Sequence, residues 1–240
     1  MPPSTPLHRS PLPWRIQPLR SALLHNLFSG RCRICHARSL TGELCPGCHE
    51  DLPWITAACE RCGLPLASGA AHCAACISRP PLFDRAHVLW TYTDGVDALI
   101  RRFKFEEDLA AGRLLTELAA GTLARRRIQC AGPLVPMPLH PLRYRQRGFN
   151  PAALIAGWLG ATVMQSLVCR DRHTPAQRGQ SARQRATNLR AAFRLERPPP
   201  RVVTLVDDVI TTGASLGALA ECLRRGGAER IEVIALARTI

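Results

Sequence analysis

At 240 residues, with 46% hydrophobic side chains, the chain is long and apolar enough for one medium-sized domain and a second, small one. It has no apolar run of about 18 residues, which excludes a membrane-spanning helix, so we expect no membrane insertion. The formal net charge of +14 favours a polyanionic partner. Lys104 is the only lysine among many arginines, and a GC-rich genome would account for arginine in place of lysine. It would not account for the excess of positive over negative charge.

The amino-terminal segment, residues 1–22, is interrupted by prolines and lacks the apolar core of a secretory signal. These features predict a disordered, basic lead-in. Its last residues, together with those that follow, predict a short helix over Leu19–Phe28. With neither a signal nor a membrane span, the protein is expected to be cytoplasmic.

Four Cys-x-x-Cys knuckles follow at similar intervals. In a reducing cytoplasm such knuckles indicate metal ligands rather than disulfides. Two knuckles together close a tetrahedral four-thiolate site, in which each sulfur lies about 2.3 Å from a zinc ion. Redox motifs rarely occur four at a time, so zinc is favoured over redox chemistry or an iron–sulfur cluster. The predicted zinc ligands are Cys32, Cys35, Cys45, Cys48, Cys59, Cys62, Cys73 and Cys76.

Two such sites leave no coordination position open, which predicts two structural zinc ions. Their binding would supply the folding free energy of a small double zinc ribbon over residues 23–80. The sequence leaves the pairing open, because the first knuckle can join either the second or the third. Cys130, Cys169 and Cys222 are isolated and are expected to act as small buried hydrophobic side chains.

After the knuckles, apolar strands alternate with helices, a pattern typical of an α/β domain. Residues Ala86–Tyr92 predict a strand, Asp94–Lys104 a helix and Leu109–Arg127 a longer helix. Leu134 begins another strand. That strand is expected to leave into a loop at Pro136, because proline ends regular pairing and fixes an extended backbone.

A basic segment follows this strand and precedes a helix predicted over Pro151–Leu159. Its arginines alternate beside a glycine and an asparagine. Guanidinium groups donate paired hydrogen bonds to phosphate oxygens, so the segment suits a diphosphate. A solvated basic loop is the alternative, and the position after a strand of the predicted sheet favours the functional interpretation. The candidate contacts for a diphosphate or polyanion are Arg143, Arg145, Arg147 and Gly148.

A second basic stretch, Arg170–Arg190, contains six arginines and one acidic residue. It is polar, includes glycine and proline, and shows no sustained apolar period. This profile favours a mobile loop that closes over an anionic ligand. A disordered connector is the alternative interpretation.

The most informative segment is Val202–Ser215. Its nearly continuous β-branched run, up to Val206, predicts a parallel strand that is buried on both faces. Asp207 and Asp208 come where this strand is expected to end, and a small, hydroxyl-rich turn follows. Apolar residues then recur at i, i+3, i+4 and i+7 from Leu216, so the turn leads into an amphipathic helix.

This order of elements suits a phosphorylated sugar. A helix N-terminus offers unpaired backbone N–H groups to a phosphate, and Gly213 lets the backbone come close to it. Adjacent carboxylates accept hydrogen bonds from a vicinal diol such as ribose O2 and O3, or hold Mg²⁺ through water. A plain turn whose aspartates only cap the helix is the alternative. The hydroxyl donors of the turn are Thr211, Thr212 and Ser215.

The same segment closely resembles the signature with which type I phosphoribosyltransferases bind phosphoribosyl diphosphate (PRPP). The resemblance implies a type I phosphoribosyltransferase-like domain over residues 85–240, with a parallel sheet flanked by helices, that binds PRPP with Mg²⁺. It also implies that the acidic pair grips the ribose hydroxyls while the loop wraps the 5-phosphate. The implied catalytic pair is Asp207 and Asp208, and the implied PRPP contacts are these two with Val209, Thr211, Thr212, Gly213, Ala214 and Ser215.

Across nearly its full length the chain resembles the ComF (competence protein F)/GntX family. The resemblance is carried by the leucine-rich stretch Leu23–Phe28, the pair Lys104-Phe105, the block Pro136–Asn150 and the zinc and PRPP motifs. One departure is Pro151, where the family usually has glutamine. The resemblance implies an association with DNA uptake or with the use of external DNA.

Two functions follow from these features. In the first, the protein binds PRPP and Mg²⁺ and serves DNA uptake. Its zinc ribbons and arginine-rich loops then bind single-stranded DNA or dock a protein of the uptake machinery. In the second, it is an active phosphoribosyltransferase that transfers to an unidentified acceptor and releases diphosphate.

Overall fold

The computed structural model describes residues 30–39, 42–67, 69–170 and 192–240. The predicted lead-in over residues 1–22, the predicted helix Leu19–Phe28 and nearly all of the predicted closing loop Arg170–Arg190 lie outside these residues. In chain order the described elements are β1 (Gly30–Arg31), β2 (Arg38–Ser39), α1 (Pro46–Glu50), α2 (Ala74–Ser78), β3 (Arg85–Thr91), α3 (Val96–Phe105), α4 (Leu109–Arg125), β4 (Leu134–Pro136), α5 (Pro141–Arg147), α6 (Pro151–Trp158), β5 (Val168–Arg170), β6 (Phe193–Leu195), β7 (Val202–Ile210), α7 (Ala214–Arg225) and β8 (Arg230–Arg238).

A four-stranded sheet organises the larger part of the chain, with the strand order β3-β8-β7-β4. All three ladders are parallel. The carboxyl ends of the four strands therefore meet at one edge of the sheet. The predicted α/β fold with a parallel sheet and an amino-terminal ribbon module is confirmed.

Both faces of this sheet are covered, as the apolar runs of its central strands predict. Successive strand residues point to opposite faces. Accordingly, Val203 and Leu205 join one hydrophobic core, whereas Val206 and Ile234 join the other. Helix α7 packs in the first core, and α3, α4 and α6 pack in the second.

Two local predictions about this domain are wrong. Strand β7 does not end before the acidic pair. It pairs with β8 as far as Ile210, because β8 itself continues to Arg238 and supplies a partner. Residues Pro141–Arg147 form a short helix rather than a loop, with His140 as the N-cap. This helix ends at Gly148, whose backbone has the left-handed φ of 76° that a helix C-terminus favours.

The ribbon module covers the lateral edge of the sheet, which is formed by the outer strand β3. The Ile55 N–H donates to the Leu89 carbonyl at 2.8 Å, and the Thr91 N–H donates to the Pro53 carbonyl at 3.0 Å. These hydrogen bonds occupy backbone groups of β3 that an edge strand otherwise leaves exposed. Within the described residues, no helix has the length and apolarity needed to cross a membrane.

Candidate functional site

The eight knuckle cysteines gather into two groups of four, each with its sulfur atoms within 4.8 Å of one another. In each group two of the sulfurs are 3.7 Å apart. A zinc tetrahedron with arms of about 2.3 Å has an edge of about 3.8 Å, so both groups fit the ion. The four thiols Cys32, Cys35, Cys45 and Cys48 form the first site, and Cys59, Cys62, Cys73 and Cys76 form the second. The pairing is therefore sequential, and the interleaved alternative is wrong.

The first thiol of each group lies in surroundings that favour the thiolate. Burial raises the pKa of Cys32, but backbone N–H groups of Cys45, Cys35 and Ile34 outweigh it and lower that pKa to about 6. Burial and backbone N–H donors act in the same way on Cys59, whose pKa is also lowered to about 6. Because zinc binds thiolates, these donors prepare the sites for the metal.

The second zinc ribbon reaches the carboxyl edge of the sheet. A guanidinium nitrogen of Arg238, the last residue of β8, donates to the Cys62 carbonyl at 2.9 Å. Arg238 also pairs with Ile210 at the end of β7, directly before the predicted phosphate loop. The ribbon therefore contacts the strand ends that hold this loop.

A cavity of about 520 Å³ lies at the carboxyl edge of the sheet. In parallel α/β sheets, this is the edge at which ligands bind. Its walls come from the end of α3, the segment after β4, helix α5, the start of α6, β5, the end of β7 and the start of α7. Its polar and charged lining residues are Lys104, Glu107, Arg143, Gln146, Arg147, Asn150, Arg170, Asp207, Asp208 and Ser215.

The acidic pair lies in the wall of this cavity and is partly neutralised by the only lysine in the chain. The Lys104 ammonium Nζ lies 2.7 Å from Asp208 Oδ1, and Asp208 is only 8% exposed. Burial, and next the charge of Asp208, raise the pKa of Asp207 to about 8, while Lys104 opposes this rise. Crowding of the two carboxylates therefore favours a proton or a cation beside Asp207.

Helix α5 brings two of its three predicted arginines into the cavity. Arg143 and Arg147 are four residues apart on α5, so they share one face of the helix, and both line the cavity. Arg145 lies on another face, is exposed and does not line the cavity. Gly148 ends the helix outside the lining.

A third arginine in the lining comes from outside the predicted diphosphate segment. Arg170 ends β5, and its guanidinium carbon lies 5.5 Å from the centroid of the Phe193 ring. Burial is the main cause that lowers its pKa, and Arg143 adds to this effect. Arg143 and Arg170 both line the cavity as cations, so an anionic ligand there offsets their charge.

The predicted phosphate loop forms the wall between this cavity and a second one. Val209 and Ser215 line the first cavity. Thr212, Gly213 and Ala214 line the second, a cavity of about 430 Å³ between the loop and the second zinc ribbon, and Thr211 is exposed. Gly213 has the left-handed φ of 74° and is the N-cap of α7, so the loop leads directly into the first turn of that helix.

Some lining residues were not predicted as site residues. Glu107 stands in the left-handed region with φ 56°, a conformation that sequence does not reveal. Asn150 donates from Nδ2 to the Met137 carbonyl and accepts from the Ala152 N–H, which fixes the start of α6 against the cavity. The signal for Asn150 was present, because an asparagine before Pro151 is a typical helix start.

Comparison with known proteins places the chain among relatives of matching length. A family model described as a double zinc ribbon domain matches residues 23–77. The chain is 36% identical to competence protein F of Haemophilus influenzae over 227 residues, which cover 89% of this chain and 99% of the relative. It is 34% identical to the DNA utilization protein YhgH of Salmonella typhimurium, over 87% of this chain and 96% of that protein.

A more distant relative has the same extent. Competence protein ComFC of Streptococcus pneumoniae is 24% identical, over 90% of this chain and 91% of the relative. The matched regions thus include both the ribbon module and the parallel sheet.

Proposed function

The chain belongs to the competence protein F family, and from this premise we propose that it binds PRPP with Mg²⁺ in the cavity at the sheet edge. The protein acts in DNA uptake or in the use of external DNA, as the names of its relatives indicate for them. Its place of action is the cytoplasm, where a reducing environment keeps the ribbon thiols available to zinc.

One observation carries the proposal for PRPP. A single cavity brings together two carboxylates, the start of a helix and a cluster of arginines. PRPP needs the same three kinds of contact, because it joins two ribose hydroxyls, a 5-phosphate and a diphosphate. An anion without a vicinal diol, such as inorganic diphosphate, makes no use of the acidic pair.

Each part of PRPP then has a partner of matching chemistry. The carboxylates of Asp207 and Asp208 accept hydrogen bonds from the ribose hydroxyls. The start of α7, with the hydroxyl of Ser215, receives the 5-phosphate. Arg143 and Arg147, joined by Arg170 across the cavity, neutralise the diphosphate with paired hydrogen bonds. The 5-phosphate and the diphosphate thereby lie on opposite sides of the acidic pair.

The carboxylates that face the cavity also fit Mg²⁺, which prefers oxygen ligands and keeps several of its waters. Asp207 and Glu107 would hold the ion, since both line the cavity and Asp208 is already paired with Lys104. When bound, the ion supplies positive charge that offsets the charge of the diphosphate.

The proposed role in DNA uptake includes contact with single-stranded DNA. The net charge of +14 and the exposed Arg143 and Arg145 on α5 provide attraction for phosphates. Affinity for a single strand is therefore expected to fall steeply as salt concentration rises. An affinity that stays unchanged between low and moderate salt would contradict binding through phosphates.

Calorimetric titration of the zinc-loaded protein with Mg²⁺–PRPP tests the PRPP proposal. Arg143→Ala/Arg147→Ala removes the cavity-facing guanidinium groups, and Arg145→Ala is the matched control from another face of the same helix. Each charged hydrogen bond contributes about 1.5–3 kcal/mol, so the double variant is expected to bind at least about 100-fold more weakly. The control is expected to bind within about threefold of wild type. A folded wild-type protein that shows no saturable heat of binding, released or absorbed, with Mg²⁺–PRPP would refute the proposal.

A further inference from the structure

Two aromatic side chains stand out because they are exposed. Among the described residues, Phe105 and Tyr144 are the aromatic residues whose side chains are largely exposed, at 69% and 48%. Phe105 lines the cavity at the end of α3, and Tyr144 lies on α5. Both exposed rings therefore belong to elements that border the same cavity.

An arginine contacts one of the rings and follows the other by three residues on α5. The guanidinium carbon of Arg147 lies 5.2 Å from the centroid of the Phe105 ring, a cation–π contact. Tyr144 precedes Arg147 by three residues on α5, so their side chains are neighbours on the helix surface. The order Phe105, Arg147, Tyr144 is thus a row in which a cation separates two aromatic side chains.

This row has the chemistry of a surface that stacks nucleobases. Aromatic rings and guanidinium planes both accept the flat face of a base, and interleaved positive charge attracts the linking phosphates. Arg147 covers one face of the Phe105 ring, and the 69% exposure leaves the other face open.

We propose that Phe105, Arg147 and Tyr144 form a stacking platform for successive bases of a single-stranded nucleic acid at the mouth of the cavity. The phosphates of the strand lie toward the exposed Arg143 and Arg145, away from Glu106 and Glu107, which follow Phe105 and repel them. A duplex does not fit, because its base faces are stacked within the helix. This inference rests on the proposed function, since it locates the strand contact of the same site.

Fluorescence anisotropy with a labelled oligothymidine of about 15 nucleotides tests the platform, with an abasic oligonucleotide of equal length as the phosphate-only probe. Phe105→Ala is expected to weaken oligothymidine binding at least about fivefold, with Tyr144→Ala in the same direction, and to leave abasic binding unchanged. Phe105→Trp keeps a flat aromatic ring at this position and is expected to bind with the wild-type affinity. The fluorescence of the introduced tryptophan is expected to be quenched as the strand binds. The matched control is Ile77→Ala, an exposed apolar side chain on the ribbon module.

Several outcomes would overturn the platform. Phe105→Ala binding oligothymidine within twofold of wild type would do so, as would an equal loss for the abasic probe or an equal affinity for duplex DNA. Binding of free thymidine that needs Phe105, without any strand binding, would reject the strand as the ligand. The PRPP titration of the wild-type protein is a separate measurement. A missing platform with normal PRPP binding therefore differs from a failure of the proposed function.

Discussion

Replacing Lys104 by alanine should destabilise the protein, because this ammonium is the direct countercharge of the acidic pair. Lys104 and Asp208 are 2.7 Å apart, and their side chains are only 19% and 11% exposed. At an effective dielectric constant of about 20, the attraction at this distance is about 6 kcal/mol, and the desolvation of both groups offsets part of it. Removing one partner leaves a nearly buried charge beside Asp207. We therefore expect a loss of about 2–4 kcal/mol near pH 7.

Thermal unfolding followed by circular dichroism is the assay for this prediction. For a chain of this size, each kcal/mol lowers Tm by about 2–4 °C, so Lys104→Ala should lower it by about 4–16 °C at pH 7. Lys104→Arg keeps the charge and should recover most of the loss.

A double-mutant cycle separates this ion pair from general damage to the fold. Lys104→Ala in an Asp208→Asn background removes both charges, so its effect should be at least about 1 kcal/mol smaller than in the wild-type background. A Tm within 1 °C of wild type for Lys104→Ala, or a coupling energy near zero, would refute the reasoning.

Three other perturbations test separate parts of the structure. The pKa of Asp207 rises on folding from 3.8 to about 8, so ionisation of this carboxyl costs stability as the pH rises through this window. Asp207→Asn should therefore raise Tm by about 2–8 °C at pH 8 and leave it unchanged at pH 4. An equal change in Tm at both pH values would contradict this prediction. A strong chelator should release two zinc equivalents per chain and lower Tm, because each group of four thiols holds one ion. A colorimetric zinc indicator measures the released zinc. A single equivalent would show that one group does not bind zinc. Gly213→Ala should lower the free energy of unfolding by about 1–2 kcal/mol and weaken PRPP binding, because Gly213 has a φ of 74° that alanine adopts only with strain. An added Cβ meets no atom closer than 3.9 Å, so strain rather than a clash is the cause. Unchanged melting and titration curves would exclude backbone strain as the reason for glycine at this position.

Local sequence patterns predicted the elements that depend on burial and on ligand spacing. The apolar run before Asp207 predicted a strand buried on both faces, and the structure confirms it because β7 contributes to both cores. The Cys-x-x-Cys spacing predicted two four-thiolate sites. It did not decide the pairing, which depends on how the knuckles pack in three dimensions.

Other features depend on partners that lie far apart in the sequence. The end of β7 was misplaced because its last pairs are made with β8, some 28 residues later, as in Ile210 with Arg238. A loop is predicted from Pro141, although a proline at the first turn and Gly148 after the last are typical helix boundaries. The ion pair of Lys104 joins α3 to β7, and no local pattern indicates a contact between residues 104 positions apart.

A structure of the zinc-loaded protein with Mg²⁺ and PRPP would test the central claim most directly. The account predicts the ribose hydroxyls at Asp207 and Asp208, the 5-phosphate at the start of α7 and the diphosphate between Arg143 and Arg147. PRPP bound elsewhere, or in this cavity with its ribose away from the acidic pair, would contradict it.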